Sequence, residues 1–528
     1  MLFDRTFHPD EANQAFTTGR LLETGRYAYR PDDHHGPTLY YAAAAIQKVS
    51  GHDTLATMDG SLLRCTPLLF AVLALAFGFL ALRKLLKPAM GKLGGWLVPA
   101  LFVLVLGTSP LFVFFATDFI QEMLLACFTL MMLWAGVGYL HARDTKLKPG
   151  TWAIFFGTAT ALAFATKETC VLAFAAAVLA AVPFLVNRLT LDTLRARMRD
   201  IVLALLSFFI IASILYSDFG RDFHGVYNAF VAAPLSYIGR AAGSASSAGA
   251  ADHVHPWWQY FKWLFSGHVP LANFICLGLS FGAIAVSVGR APRARRSSFL
   301  FTATYALLLL VFYSAIPYKT PWCALQILVP LLLASLLGCI NFCEEIRSTA
   351  LRKYNSLPSK AIHVLSYAPL LYLAGHMLYG NCSALAQMSR DPDSKDIPYN
   401  YASASPEVQQ LAATVAAAVT SATNHEPRTT NHEPPFIAVA LPPADTWPFP
   451  WYNRPYEQQT GYWTSFDDLK QIATAGVKPT VVIVPMEEGH LVQPIFPHLT
   501  HTKRFFMRPG ARNHEGKMRG GVRVRVFW

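Results

Sequence analysis

Over the first 380 residues, long apolar stretches alternate with short polar ones. Apolar runs occupy 61–82, 94–114, 119–141, 151–165, 170–187, 200–217, 270–289, 299–316, 322–340 and 362–380. Most reach the length of roughly 17–25 residues that crosses a bilayer as a helix; the run at 151–165 is short and predicts a tilted or broken helix. Buried helices of soluble proteins rarely repeat at that length, so the pattern predicts an all-α polytopic bundle of about ten spanning helices. The flanks differ. Residues 1–60 hold no apolar run, only an Ala-rich helix at about 37–49 that is too short to span and is expected to lie along the interface with Tyr40 and Tyr41 at headgroup level. Beyond about 381 the period changes: a helix near 405–422, a strand "FIAVAL", a helix near 465–475, a strand "TVVIVP" and strands near 503–507 and 522–527 predict a small α/β unit. The chain thus divides into a first loop at 1–60, a helical bundle at 61–380 and an α/β domain at 381–528.

Composition agrees, with 53% hydrophobic and 14% charged residues against roughly 25% charged in soluble chains. The net charge of +12 does not point to nucleic acid, because the basic residues sit in every second connecting loop. These are Arg83, Lys84, Lys87 and Lys92; Arg143, Lys146 and Lys148; Arg188, Arg195, Arg197 and Arg199; Arg290, Arg293, Arg295 and Arg296; Arg347, Arg352, Lys353 and Lys360. The positive-inside rule makes those loops cytoplasmic. The segments 1–60, 115–118, 166–169, 218–269, 317–321 and all after about 380 then lie outside, in a multi-pass protein of the plasma membrane. Sixty residues without an apolar run are hard to export ahead of a first span, so a spanning helix upstream of Met1 is expected. The eight cysteines are scattered, mostly within apolar runs, and read as core residues with no disulfide framework.

The outer segments hold the ionisable residues. "FHPDEANQAF" carries Asp10 and Glu11, "DDHHGPTLYY" carries His34 and His35, and Arg64 stands at the outer end of the first apolar run. "FFATDFIQEM" places Asp118 and Glu122 four apart, so they are expected to share one helical face. "FATKETC" contributes Lys167 and Glu168, and "AIPYKTPW" Tyr318 and Lys319. In the long loop 218–269, Trp257 and Trp258 suit either the membrane interface or a sugar-stacking wall. "WPFPWYNRPY" brings Trp451 and Arg454 after the first strand of the C-terminal unit, while the doubled "TNHEP" reads as a loop insertion. Each of these residues has a bland reading as a cap, a snorkelling lysine or a polar loop residue. Their recurrence in nearly every short outer turn points to a hydrated pocket. Such a pocket suits transfer from a lipid phosphate: cations hold the phosphate as its charge develops and a carboxylate takes the proton of an attacking hydroxyl. Asp10 or Glu11 is the candidate base. Arg64, Lys167 and Lys319 are the candidate phosphate ligands. Asp118 would position the acceptor or, with Asp10, hold a divalent cation such as Mg²⁺ or Mn²⁺.

The stretches "FHPDEANQAF", "HHGPTLYY", "SPLFVFFATDFIQEMLLACF", "ALAFATKET", "YSAIPYKTPW" and "WPFPWYNRPYEQQTGYW" run through nearly the whole chain. In that order they resemble the GT-C superfamily of membrane glycosyltransferases, in the branch of protein mannosyltransferases and aminoarabinose transferases, and most closely the flippase-activity-associated proteins of bacteria and archaea. The resemblance implies a bundle with catalytic loops outside the cytoplasm. It implies a general base at Asp10 with Glu11 beside it, and a second-loop acid at Asp118. The family's first helix has no counterpart here. The expected activity is inverting transfer of a hexose or pentose from a polyprenyl-phosphate-linked donor to a hydroxyl of a glycan, lipid or protein acceptor. His35, Arg64, Lys167, Glu168, Tyr318, Lys319, Trp451 and Arg454 are the substrate-binding candidates. The alternative is a flippase, or flippase-associated protein, for lipid-linked sugars. That would call for polar residues through the bilayer depth, whereas these charges gather at one face.

Overall fold

The computed structural model describes residues 5–31, 35–142, 146–186, 190–236, 253–266, 268–288, 293–353, 362, 365–391, 394, 397–400, 404–425, 435–508 and 521–528. His34, most of the Gly/Ala/Ser stretch of the long loop and all of the repeated "TNHEP" stretch after His425 lie outside these residues. Two short helices come first, α1 (Pro9–Thr24) and α2 (Thr38–Val49). The bundle follows as α3 (Gly60–Gly107), α4 (Pro110–Ala116), α5 (Glu122–Leu140), α6 (Pro149–Phe164), α7 (Cys170–Leu185), α8 (Leu191–Tyr216), α9 (Gln259–Phe265), α10 (Val269–Val288), α11 (Arg293–Ala315), α12 (Ala324–Lys353) and α13 (Ala368–Arg390).

Among the described residues, six helices are long and apolar enough to cross a membrane, or seven if the pair Gly95–Gly107 and Pro110–Ala116, bent by 70°, is one span. Ten apolar runs give fewer such helices for local reasons. The first two runs form α3 and α4: Gly60–Leu86 is one span, and the chain then doubles back within α3 so that Phe102 meets Gly78 and Trp96 meets Phe79, before the bend into α4. α6 and α7 have 16 residues each, about 24 Å at the α-helical rise, short of the hydrocarbon core. α12 is apolar on every side and every residue from Cys323 to Asn341 is buried, so it forms the axis on which α10, α11 and α5 pack. α8 instead exposes Leu205, Leu206, Phe209 and Ile210, as a lipid-facing helix should.

The helices are ordered end to end. α3 starts near Arg64, α5 at Glu122 and α12 near Gln326. Their other ends carry the basic loop residues: Arg197 Nη1 donates to Tyr139 Oη at 3.2 Å, and Arg347 pairs with Glu344 at 2.8 Å. Expected interfacial tyrosines are instead packing residues. Tyr40 is fully buried and its hydroxyl donates to Gln14 of α1, while Tyr41 donates to Asp218 at 2.9 Å. α2 is thereby held against α1 and the end of α8.

The C-terminal sheet has five strands in the order β2-β1-β3-β5-β4: β1 (Ile437–Ala440), β2 (Thr460–Trp463), β3 (Val481–Pro485), β4 (Thr502–Arg508) and β5 (Val522–Phe527). β1 pairs parallel with β2 and β3; β5 pairs antiparallel with β3 and β4. α14 (Glu407–His425) covers one face and α15 (Phe466–Thr474) the other, which is why the central strands read as continuous apolar runs. β2 was not predicted, because "TGYW" is an edge strand only partly buried and has no apolar run.

Helix packing in the bundle depends on small residues. A Cβ at Gly338 of α12 would stand 2.0 Å from the Gly278 carbonyl oxygen of α10, so backbone meets backbone there. Gly338→Ala is expected to force α10 and α12 apart at a cost of about 1–3 kcal/mol, read as a lowered unfolding midpoint of the detergent-solubilised protein.

Candidate functional site

The site is built on the first turn of α1. His8 is its N-cap: Nδ1 accepts the Asp10 N–H at 3.1 Å, and Glu11 Oε2 accepts the His8 N–H at 3.0 Å, a capping box in which imidazole takes the usual hydroxyl's place. The helical turn separates the two adjacent acids. Glu11 faces inward and is 1% exposed. Arg64 grips it bidentately, Nε to Oε1 at 2.9 Å and Nη2 to Oε2 at 2.7 Å, and the Phe119 N–H adds a third bond at 2.9 Å. Burial raises the Glu11 carboxyl, but the Arg64 charge and hydrogen bonds, helped by Arg5, outweigh it and bring it to about 2. The Asp10 carboxylate is half-exposed, with its side chain at 49%.

Asp118 lies in the turn between α4 and α5, not on a helix. The chain breaks at Thr117–Gln121, so the expected shared helical face of Asp118 and Glu122 does not form. Asp118 turns to the first segment, where Arg5 Nη2 stands 3.7 Å from it and also donates to the Thr117 carbonyl at 3.1 Å. Burial, and then the charge of Glu11, push the Asp118 carboxyl well above the usual carboxylate range. Glu122, first residue of α5, pairs with Lys167. Burial lowers the Lys167 ammonium, and the Glu122 charge more than restores it. A narrow hollow remains, lined by Arg5, Thr6, His8, Glu11, Asp118 and Trp322, with Phe114, Phe115, Tyr399 and Asn400 completing its walls. Lys167 Nζ sits 6.0 Å from the Trp322 ring centroid, behind that wall.

The "HHGP" and "FATKE" stretches meet. His35 Nδ1 is 2.8 Å from Glu168 Oε2, the Tyr29 hydroxyl donates to Glu168 Oε1 at 2.6 Å, and the Thr38 and Thr166 hydroxyls are 2.8 Å apart. Burial raises the Glu168 carboxyl, and His35 and Tyr29 more than reverse it, to about 2. A Cβ at Gly36 would stand 2.2 Å from the Ala165 carbonyl oxygen, so only glycine lets the two backbones approach this closely.

Lys319 is buried, and its ammonium donates to the carbonyls of Ile316 and, at 3.3 Å, His255. Burial lowers its pKa. Among the described residues it is the one of Arg64, Lys167 and Lys319 with no carboxylate within 4.0 Å. Tyr318 forms a β-bridge to Val254 and its ring lies 4.7 Å from that of His253. Trp451 and Arg454 tie the sheet unit to the first segment: Trp451 stacks on Phe7 at 4.8 Å, and Arg454 lies 3.9 Å over Trp451 and donates to the Met58 carbonyl at 2.7 Å. Neither lines the hollow. Trp257 and Trp258 are 66% and 46% exposed. Among the described residues, no three His, Cys, Asp or Glu side chains group as metal ligands, and Asp118 is faced at 3.7 Å by the Arg5 guanidinium, a cation that would repel a metal ion there. Sequence reasoning missed Arg5, Thr6, His8, Trp322 and Tyr399. His8 and Trp322 lay inside quoted motifs, whereas Tyr399 carried no signal.

The two adjacent acids have opposite structural roles, which mutation separates. Glu11→Gln strands the buried Arg64 and is expected to cost about 3–5 kcal/mol, lowering the unfolding midpoint or abolishing expression. Asp10→Asn is expected to stay within about 1 kcal/mol of wild type, the scale of a first-turn helix-dipole contribution.

No family model matches the chain, and no curated protein matches it. Solved structures do. ArnT from Cupriavidus metallidurans bound to undecaprenyl phosphate superposes with a TM-score of 0.61 at 14% identity, over 99% of this chain and 94% of that one; its apo state gives 0.59 at 13%. The archaeal oligosaccharyltransferase AglB from Archaeoglobus fulgidus, in complex with an inhibitory peptide and a dolichol-phosphate, gives 0.52 at 12%, over 98% of this chain and 70% of that one. At these identities the likeness is one of fold: a multi-pass helical bundle carrying a small C-terminal sheet domain.

Proposed function

We propose that the chain is a GT-C-type glycosyltransferase that moves a sugar from a polyprenyl-phosphate donor to an acceptor hydroxyl. The observation that carries this reading is the division of labour between the adjacent acids. Glu11 is saturated by Arg64 and the Phe119 amide, while Asp10 is half-exposed on the same rigid turn. A rigidly mounted, accessible carboxylate next to a walled hollow is what general-base catalysis needs. The fold likeness supports the substrate class, since one similar structure holds undecaprenyl phosphate and another dolichol-phosphate.

In the proposed reaction, Asp10 takes the proton of the acceptor hydroxyl as its oxygen attacks the anomeric carbon. The bond from that carbon to the phosphate oxygen breaks, the polyprenyl phosphate leaves with the electron pair, and the configuration inverts. Glu11 and Arg64 hold the turn that carries Asp10. Lys319, with no carboxylate partner among the described residues, is the cation assigned to the leaving phosphate. It stands three residues before Trp322, which lines the hollow. The chemistry belongs to the extracytoplasmic face of the plasma membrane, because the first half of α3 (Gly60–Leu86), α5 and α12 each run from the acid-bearing end to an end with basic loop residues. The C-terminal sheet domain, clamped to the first segment by Trp451 and Arg454, would share that side.

In proteoliposomes supplied with radiolabelled polyprenyl-phosphate sugars, the wild type is expected to form a new glycoside. Asp10→Asn should lower the rate by about 10²–10⁴-fold while the protein stays inserted; near-wild-type transfer would remove Asp10 from the role. Movement of the lipid-linked sugar between leaflets with no new glycoside would replace transfer with flipping. Lys319→Met is expected to weaken donor use roughly ten- to a hundredfold, the value of a charged hydrogen bond, mainly in KM.

A further inference from the structure

The last two strands carry an unanswered positive charge. β4 and β5 hold five cations, Lys503, Arg504, Arg508, Arg523 and Arg525, and no acid. Their register sorts side chains onto two faces. Phe505 stands opposite Val524, and both are buried on the side that α14 covers. On the other face Arg504 stands directly opposite Arg525, and Phe506 opposite Arg523. Directly opposed side chains start about 5 Å apart and diagonal ones about 7–8 Å, so three arginines share one small patch, and like charges placed in this way repel. Arg508 is met by Asp445 at 2.7 Å. Among the described residues, Arg504, Arg523 and Arg525 pair with no carboxylate. Arg504 and Arg523 are exposed. Arg525 is half-buried and packed: a Cβ at Gly489 would stand 2.7 Å from its Cδ, and its Nε is buried with no hydrogen-bond partner among the described residues. Opposed guanidinium groups with no acid between them destabilise the strand pair, and carboxylates laid across them offset the repulsion.

We propose that this sheet face holds an acidic glycan, one bearing uronate carboxylates, as the acceptor. The acceptor role rests on the glycosyltransferase reading, and the binding rests on the arginines alone. Guanidinium groups meet carboxylates through two parallel hydrogen bonds, a geometry that lysine lacks. Phe506 lies half-buried among them, with Arg523 6.0 Å from its ring centroid, and offers an apolar surface to the C–H face of a sugar ring. A bilayer fits this face poorly. α8 exposes a row of large apolar side chains, whereas in the sheet unit Tyr462 is the one such side chain among the described residues. Trp451 of the same unit stacks on Phe7, two residues before α1, so a glycan on the sheet is tethered to the element that carries Asp10.

Full-length protein in phosphatidylcholine nanodiscs is titrated with three probes: oligogalacturonate, its methyl ester, which keeps the backbone and loses the charge, and oligoglutamate of equal charge. The wild type is expected to bind oligogalacturonate roughly tenfold more tightly than the ester, and more tightly than oligoglutamate. Arg504→Gln and Arg523→Gln should each weaken that binding roughly two- to fivefold, the value of an exposed ion pair, and the double variant should weaken it further. Arg504→Gln is also expected to unfold at or above the wild-type midpoint, because it relieves the opposed pair; a clearly lower midpoint would make this arginine a structural residue and overturn the proposal. Equal affinity for the ester, equal affinity for oligoglutamate, or unchanged binding by the double variant would overturn it as well. Transfer is scored separately, in proteoliposomes with oligogalacturonate as acceptor and radiolabelled polyprenyl-phosphate sugars as donors. A glycoside whose acceptor KM rises in the arginine variants supports both parts. If the glycan binds as expected and no donor yields a glycoside, the transferase reading and the acceptor role fall while the acidic-glycan surface stands. If the ester is glycosylated as well as the acid, with no change in the variants, the surface falls and the transferase reading stands.

Discussion

The buried bidentate pair of Glu11 and Arg64 is the contact on which the acid-bearing end of the molecule depends. It joins three segments distant in sequence: Glu11 from α1, Arg64 from the start of α3, and the Phe119 amide from the turn before α5. Both side chains are almost wholly excluded from solvent. Two charges taken from water at that depth are tolerable only when each finds its partner with good geometry. Arg64 Nη1 also donates to the Arg5 carbonyl at 2.9 Å, so the chain leading into α1 is held as well. Because the pair is satisfied internally, it acts as a mount for the turn that exposes Asp10.

The same rule organises the neighbouring charges. Lys167 finds Glu122, Glu168 finds His35 and Tyr29, and Asp118 finds Arg5. Each pair crosses between connecting segments of the bundle, so the buried charges double as ties between helix ends. Asp118 departs from the pattern: burial and the neighbouring Glu11 charge push its carboxyl well above the usual carboxylate range, as happens when two carboxyls are buried together and one is already claimed by arginine. What is left without a carboxylate is Lys319, held by carbonyls alone among the described residues, and Asp10, half open to solvent. The proposed transfer calls for one cation and one base that are not already neutralised, and among the described residues these two meet that description.

The bundle was legible because bilayer thickness imposes a length on apolar runs, and the C-terminal unit because burial on two faces makes β1 and β3 continuously apolar. The edge strand β2 was hidden for the opposite reason: an edge strand, half in solvent, carries no such mark. Among the described residues, fewer helices than apolar runs are long enough to span where the chain turns inside an apolar region, as between Leu86 and Gly95 and at the 70° bend before α4. Spacing also misled at Asp118 and Glu122. Four residues apart implies a shared face only if the intervening backbone is helical, and here a turn sends one acid to Arg5 and the other to Lys167.

From the sequence alone, hydropathy and loop charge determined that this is a polytopic bundle with its acids and bases gathered toward one end, since both follow from transfer energies that local composition carries. The tertiary structure decided which acid is spent and which is available. Asp10 and Glu11 are chemically alike and adjacent, and no pattern in one dimension separates them. Only the direction in which the first turn of α1 is pressed against Arg64 and the Phe119 amide does so, because burial and pairing are properties of neighbours brought together from elsewhere in the chain.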